Sequence, residues 1–196
     1  MRLARLRNGH SLKYWLMLKL SPIVSGAPAP DILRILWYRS EFFGKPVAPL
    51  QQAVMRGPSD WTIGERELFA AFISAKNLCR FCLDAHSAVA AKVVGHELVD
   101  AVLADIEDAP ISDKARAMMH FLEKLALTPE AVKGEDIKRL RAARIRDAAI
   151  VDGIYVCTIF STFNRMVDAF GCAPPTPKQM DGIAKMLLSS SGYEVP

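Results

Sequence analysis

The stretch from about Asp147 to Phe170 is the longest apolar run in the chain, and it constrains the rest. Ile150, Val151, Ile154, Tyr155, Ile159, Phe160, Phe163 and Val167 cover most of the circumference of a helix, the pattern of a helix buried on nearly every side. Such a helix needs others wrapped around it. One polar stripe remains: Ser161, Asn164, Arg165 and Asp168, at i, i+3, i+4 and i+7. It reads as a solvent-facing strip or an Arg165–Asp168 ion pair, the alternative being a pocket wall or a subunit contact. Gly171 is placed to close the helix in a left-handed cap.

The other segments repeat the period of about 3.6 residues, and none alternates with period two. Thr62 followed by Glu65 is a capping box opening a helix with Leu68, Phe69, Phe72 and Ile73 facing inward. Residues 113–127 carry Ala115, Met118, Met119, Leu122, Leu125 and Ala126 on one stripe. Shorter helices are expected from Asp31 to Tyr38, Leu50 to Met55, Leu98 to Ile106 and Asp136 to Ala143. Another turn is expected at Pro129, and a last helix from Pro177 to about Leu188, with a loose tail beyond it. The fold class is all-α. At 196 residues and 51% hydrophobic content the chain can bury one good core, so one domain is read at 31–196, behind an N-terminal basic arm and linker at 1–30.

That arm holds Arg2, Arg5, Arg7, Lys13 and Lys19 with no acid among its first twenty residues. It can form a basic amphipathic helix, either a membrane-surface anchor or, the reading favoured here, an arm packed on its own domain or a sister subunit. From Pro22 to Pro30 a turn-rich connection is expected. The run Tyr14-Trp-Leu-Met-Leu with the later Ala27-Pro-Ala29 imitates a signal peptide, but Lys13 and Lys19 bracket it too closely. A cytoplasmic address is expected, with no stable membrane insertion. The basic residues do not continue along a later helix, so no nucleic-acid partner is expected.

Chemistry concentrates in Glu67 to His86. On a helix, Cys79, Cys82 and His86 fall within about 60° of each other, and Val89, Ala90 and Val93 extend that face inward. Cysteines three residues apart cannot staple distant parts of a chain, so a redox or metal role is indicated. Glu67 points over Ala70, Ala71 and Ser74, where a second helix could crowd and partly bury it; an ordinary solvated glutamate is the plain alternative. In one straight helix Glu67 would lie about 18 Å from Cys79, beyond any proton relay. For Glu67 to serve the thiols the helix must break, and Asn77 is the natural place. With Asn77 as N-cap, Cys79 falls in the first turn, where the helix dipole favours its thiolate.

Three readings fit Cys79-x-x-Cys82-x-x-x-His86. As a dithiol, the pair can cycle through a disulfide with little backbone movement. His86, one turn after Cys82, is placed to take its proton, and Glu67 to orient the imidazole. As a zinc site, both thiolates and His86 would need a fourth ligand from Cys157, Cys172, His96 or Glu67. As a helical interaction protein, the cysteines would simply be buried, which is also the plain reading of Cys157 and Cys172. His120, off its helix's apolar stripe, is read as a surface histidine.

Glu67, twelve residues before the Cys-x-x-Cys pair, and His86, four after its second cysteine, resemble the signature of the alkylhydroperoxidase D-like (AhpD-like) family of the carboxymuconolactone decarboxylase superfamily. Ile63-Gly-Glu-Arg-Glu67-Leu-Phe-Ala-Ala-Phe, His120-Phe-Leu-Glu-Lys-Leu, Asp147-Ala-Ala-Ile and Phe163-Asn-Arg-Met-Val-Asp168-Ala-Phe-Gly171 resemble its peroxidase-related branch. Together they cover about residues 60–172. The resemblance implies a compact AhpD-like helical domain with the Cys-x-x-Cys helix packed on a long central helix. It implies a peroxidase in which Cys82 attacks a hydroperoxide, Cys79 resolves it, and His86 with Glu67 relays protons. No cofactor is implied beyond the redox-active Cys79–Cys82 disulfide. The partners implied are a hydroperoxide, a dithiol or protein reductant, and further copies of the chain as dimer, trimer or hexamer. Phe81 stands where the best-known members carry a histidine, so the relay is simpler and the reductant can differ. A zinc-binding or non-catalytic helical protein, and a general thiol–disulfide oxidoreductase, remain the alternatives.

Overall fold

Helix α10, residues Asp147–Phe170, takes the central place in a computed structural model that describes residues 1–194, the side chains of Val24 and Ser25 excepted. Ten further α-helices and no strand are found among the described residues. In chain order they are α1 (Arg5–Asn8), α2 (Leu12–Ser25), α3 (Asp31–Tyr38), α4 (Lys45–Arg56), α5 (Ile63–Lys76), α6 (Arg80–Val94), α7 (His96–Ala104), α8 (Asp113–Leu127), α9 (Gly134–Ala142) and α11 (Pro177–Leu187).

The expected boundaries of α3, α8, α10 and α11 are met within a residue or two. Thr62 and Glu65 close the capping box that starts α5, and Gly171 (φ 65°) ends α10 in the left-handed cap. At Gly153 a Cβ would overlap Met118 of α8, so glycine there sets how closely α8 and α10 approach.

Several expectations are corrected. The N-terminal helix breaks at Gly9 and then runs through Pro22 to Ser25, so the expected turn-rich connection is confined to residues 26–30. Helix α4 begins at Lys45 rather than near Leu50, with Pro46 in its first turn, where proline is accommodated, and Pro49 inside the helix. The tail after Leu188 is not loose through Glu194: Tyr193 is buried, and its N–H donates to Gln52 Oε1 at 2.8 Å. Residues 195 and 196 lie outside the described residues.

The core is continuous. Helices α5 and α6 fold back on each other, α10 lies against α5, α8 flanks both, and α11 crosses α6. Tyr14 of α2 stacks on Trp37 of α3 with ring centroids 5.5 Å apart, so the arm packs on its own chain. Val151 and Tyr155, expected in the core, are 42% and 54% exposed, since no other helix covers that side of α10. No helix among the described residues is long and apolar enough to cross a membrane.

Candidate active site

The required break lies between Lys76 and Arg80. Asn77 ends α5, Leu78 takes a left-handed conformation (φ 59°), and Cys79 is itself the N-cap of α6. The expectation that Asn77 caps the second helix is therefore corrected: its side chain turns instead to α10, donating to Asn164 Oδ1 at 2.9 Å. The Cys79 N–H donates to the Ser74 carbonyl at 2.9 Å, and the Cys79 carbonyl accepts from Leu83. This reversal returns α6 alongside α5 and brings His86 back to Glu67.

Glu67 has no exposed surface. Its Oε2 meets His86 Nδ1 at 2.7 Å. Its Oε1 accepts from Arg56 Nη2 at 2.6 Å and from the Tyr193 hydroxyl at 2.8 Å. Burial pushes the carboxyl up, but the hydrogen bond and charge of His86, with those of Arg56, outweigh it and hold Glu67 below the usual carboxylate range. An ionised carboxylate only accepts, so Nδ1 carries the proton and Nε2 is left to exchange one. Arg56 is anchored in turn, donating to the carbonyls of Leu187 and Met55. Tyr193 is held well above the usual phenol range, first by burial and then by the Glu67 charge, and so remains a donor. The imidazole also meets Phe160 edge-on at 4.4 Å and lies parallel to the Tyr193 ring at 6.4 Å.

The thiols are free and buried. With Phe81 and Val167 they form a small apolar cluster against which Cys172 and Ile32 pack. Cys79 is held below the usual thiol range, first by a hydrogen bond from the Cys82 thiol; burial and the Asp168 carboxylate oppose this. Cys82 is pushed up by the same hydrogen bond, by burial and by the neighbouring charge, with a smaller contrary effect from the Asn164 amide. Acidity and access are thus divided. Cys79 is the more acidic sulfur, but Cys82 and His86 border the large cavity between α2, α3, α6, α10 and α11.

The central helix contributes more than its sequence suggested. Asn164 is buried and donates to Ser74 Oγ at 3.0 Å, which donates to the Ala70 carbonyl at 2.7 Å. No Arg165–Asp168 pair forms; Arg165 donates to the Ser161 carbonyl, and Asp168 lies beside the thiols. Cys157 is buried, its thiol pushed up by burial, and Cys172 is pushed up to about 12, mainly by burial. His120 pairs with Glu107 on the surface, as expected. Among the described residues no three His, Cys, Asp or Glu side chains converge on a position that could hold a metal ion.

Neither family models nor the sequences of curated proteins yield a match to this chain. Solved structures do. An uncharacterized peroxidase-related protein from a Silicibacter species superposes with a TM-score of 0.77 at 22% identity, over 91% of this chain and 93% of the other. The alkylhydroperoxidase AhpD core of an uncharacterized peroxidase-related protein from Ralstonia eutropha gives 0.71 at 23% identity, over 89% and 91%. The fold is AhpD-like. The debrominase Bmp8 shares it more distantly, with a TM-score of 0.68 at 15% identity over 88% and 92%; one of its structures pairs a cysteine-to-alanine substitution with 2,3,4-tribromopyrrole.

Within this AhpD-like fold, sequence reasoning missed Arg56, Tyr193 and Asn164. Arg56 and Tyr193 lie on an approach helix and on the tail, 11 and 126 residues from Glu67, with no periodic signal pointing to it. Asn164 interrupts an apolar helix, a signal that was visible but read as a solvent strip.

Proposed function

We propose that the protein is a thiol-dependent peroxidase that cycles Cys79 and Cys82 between dithiol and disulfide. The observation that supports this most is the 2.7 Å contact between buried Glu67 and His86, beside a cavity that Cys82 also borders. Glu67 fixes Nδ1 of His86 as a donor, leaving Nε2 to take the Cys82 proton. The Cys82 sulfur attacks the terminal hydroperoxide oxygen, an S–O bond forms and the O–O bond breaks. The leaving alkoxide takes the proton back from His86 and departs as the alcohol. Cys79 then attacks the sulfenic acid, an S–S bond forms, and the oxygen leaves with the Cys79 proton as water. In sum, one hydroperoxide and two thiols give one alcohol, one water and one disulfide, which a dithiol or protein reductant reopens. Cys82 leads because it, not Cys79, borders the cavity.

Stopped-flow mixing of the reduced protein with an organic hydroperoxide, followed by thiol counting, tests this. Two thiols lost in the wild type and none in Cys82→Ser is the expected result; no peroxide-dependent loss in the wild type would sink it.

A second reading draws on the likeness to Bmp8. The same pair could reduce an aryl bromide, giving the arene, bromide, a proton and the disulfide. Thiol loss with 2,3,4-tribromopyrrole but not with hydroperoxides would favour it. Homo-oligomerisation belongs to the same proposal, supported by the uncovered Val151 and Tyr155 on α10; light scattering should give a mass above the 21.6 kDa monomer.

A further inference from the structure

The cavity at Cys82 and His86 measures about 570 Å³. A peroxide of water size would occupy roughly 30 Å³ of it. Cavities of roughly 300–1,000 Å³ are the size that encloses whole organic ligands. The wall is largely hydrocarbon, with Leu33, Leu36 and Trp37 from α3, Phe160 and Phe163 from α10, and Ile183 from α11. All but Leu33 are buried. The mouth is marked by the solvent-exposed Leu20, Pro28, Lys178, Gly182 and Met186. The side chain of Gln179 donates to the Pro28 carbonyl at 2.8 Å, tying the loop before α3 to α11 across one side of this space.

A site serving hydrogen peroxide needs water access and a few donors, whereas this wall gives a small polar molecule little to bond. We infer that the cavity binds a bulky apolar organic molecule with a hydrocarbon body of about ten to twenty carbons. On the peroxidase reading, on which this step rests, the natural substrate is the hydroperoxide of such a molecule. Its body lies against α3, α10 and α11, and its O–O bond is presented to Cys82. Each methylene enclosed adds about four-fold to affinity, so reactivity should climb with substrate size as long as the cavity has room.

Gly182 offers a clean way to fill that room. It borders the mouth, and a Cβ built there meets nothing within 4 Å, so Gly182→Phe adds bulk at the mouth without a backbone clash. The experiment has two arms. In the first, reduced wild type and Gly182→Phe are mixed with hydrogen peroxide, tert-butyl hydroperoxide and a long-chain fatty-acid hydroperoxide, and thiol loss is timed. The wild type should prefer the long-chain hydroperoxide by about a hundred-fold or more, and Gly182→Phe should cut that preference about ten-fold. In the second, the matching long-chain hydroxy fatty acid is titrated into Cys82→Ser while tryptophan fluorescence is followed, Trp37 being a wall residue. It should bind saturably, and Gly182→Phe in the same background should weaken it, with circular dichroism showing both variants folded. Equal rates for all three peroxides with no binding of the alcohol would overturn the inference and leave the peroxidase reading intact. Saturable binding that Gly182→Phe weakens, with no thiol loss to any peroxide, would support the cavity's ligand class and overturn the peroxidase reading instead.

Discussion

Glu67 and the Cys79–Cys82 pair sit on opposite arms of one helical hairpin and are held by opposite means. Both oxygens of Glu67 are engaged by side chains from three separate segments, α4, α6 and the C-terminal tail. The two thiols have chiefly each other, an apolar surround and a left-handed residue at the hinge. The carboxylate end is therefore fixed in position and charge. The thiol end keeps the freedom to exchange a proton, form a bond and close a ring. The proposed relay needs a fixed anchor and a deformable centre of reaction, and His86, one turn after Cys82 on α6, stands between the two.

Removing the sulfur proposed to react should have the largest effect. Cys82→Ser is expected to lower hydroperoxide reactivity by about a thousand-fold or more with thermal stability nearly unchanged, measured by stopped flow and calorimetry. If Cys79→Ser abolishes the first oxidation instead, the division between acidic and accessible sulfur must be reversed.

Next comes the rigid end. Glu67→Ala leaves the Arg56 guanidinium buried without its partner, at a cost of about 3–5 kcal/mol, or roughly 10 °C in melting temperature for a domain of this size. The pH dependence has a defined sign. Glu67 is held below its ordinary range when folded, so its contribution is present at neutral pH, above the unfolded value, and is lost as pH falls through the folded one. Acid unfolding of Glu67→Gln should therefore start from lower neutral stability and show a shallower decline than the wild type. Tyr193→Phe removes one of three bonds to the carboxylate while keeping the ring beside His86, and should cost about 1–2 kcal/mol. Denaturant midpoints will show whether this end is as tightly determined as its geometry implies.

Asp168 acts on the thiol end alone, and its effect should be the smallest. Its carboxylate opposes ionisation of both Cys79 and Cys82, so Asp168→Asn should move the thiolate absorbance titration to lower pH. It should raise the neutral-pH reaction rate about two- to three-fold, an effect that shrinks as salt is added.

The same contrast explains what could be read from the sequence. Helices α5, α8 and α10 announce themselves because burial on one face imposes a 3.6-residue period on neighbouring residues. Glu67, Cys79, Cys82 and His86 were legible because the hairpin is local: twelve and seven residues of spacing permit only one way for a carboxylate to reach an imidazole, a reversal near Asn77. Arg56 and Tyr193 were not legible, since a side chain that arrives from another part of the chain leaves no local trace of its destination. Asn164 lay between. A lone amide in an apolar run is a polar group that must find a buried partner or lie at the surface, and only the packing of α5 against α10 decides which.

The bond between Tyr193 and Glu67 also bears on how the molecule comes together in time. The α5–α6 hairpin closes a short loop and can form early, whereas the tail must close a loop of 126 residues to reach the carboxylate. Until it does, Glu67 and Arg56 lack their phenolic cover and the imidazole lacks its parallel ring. Completion of the hydrogen bonds around Glu67 thus becomes a late folding event, and a chain whose core has already collapsed can still lack its last contact.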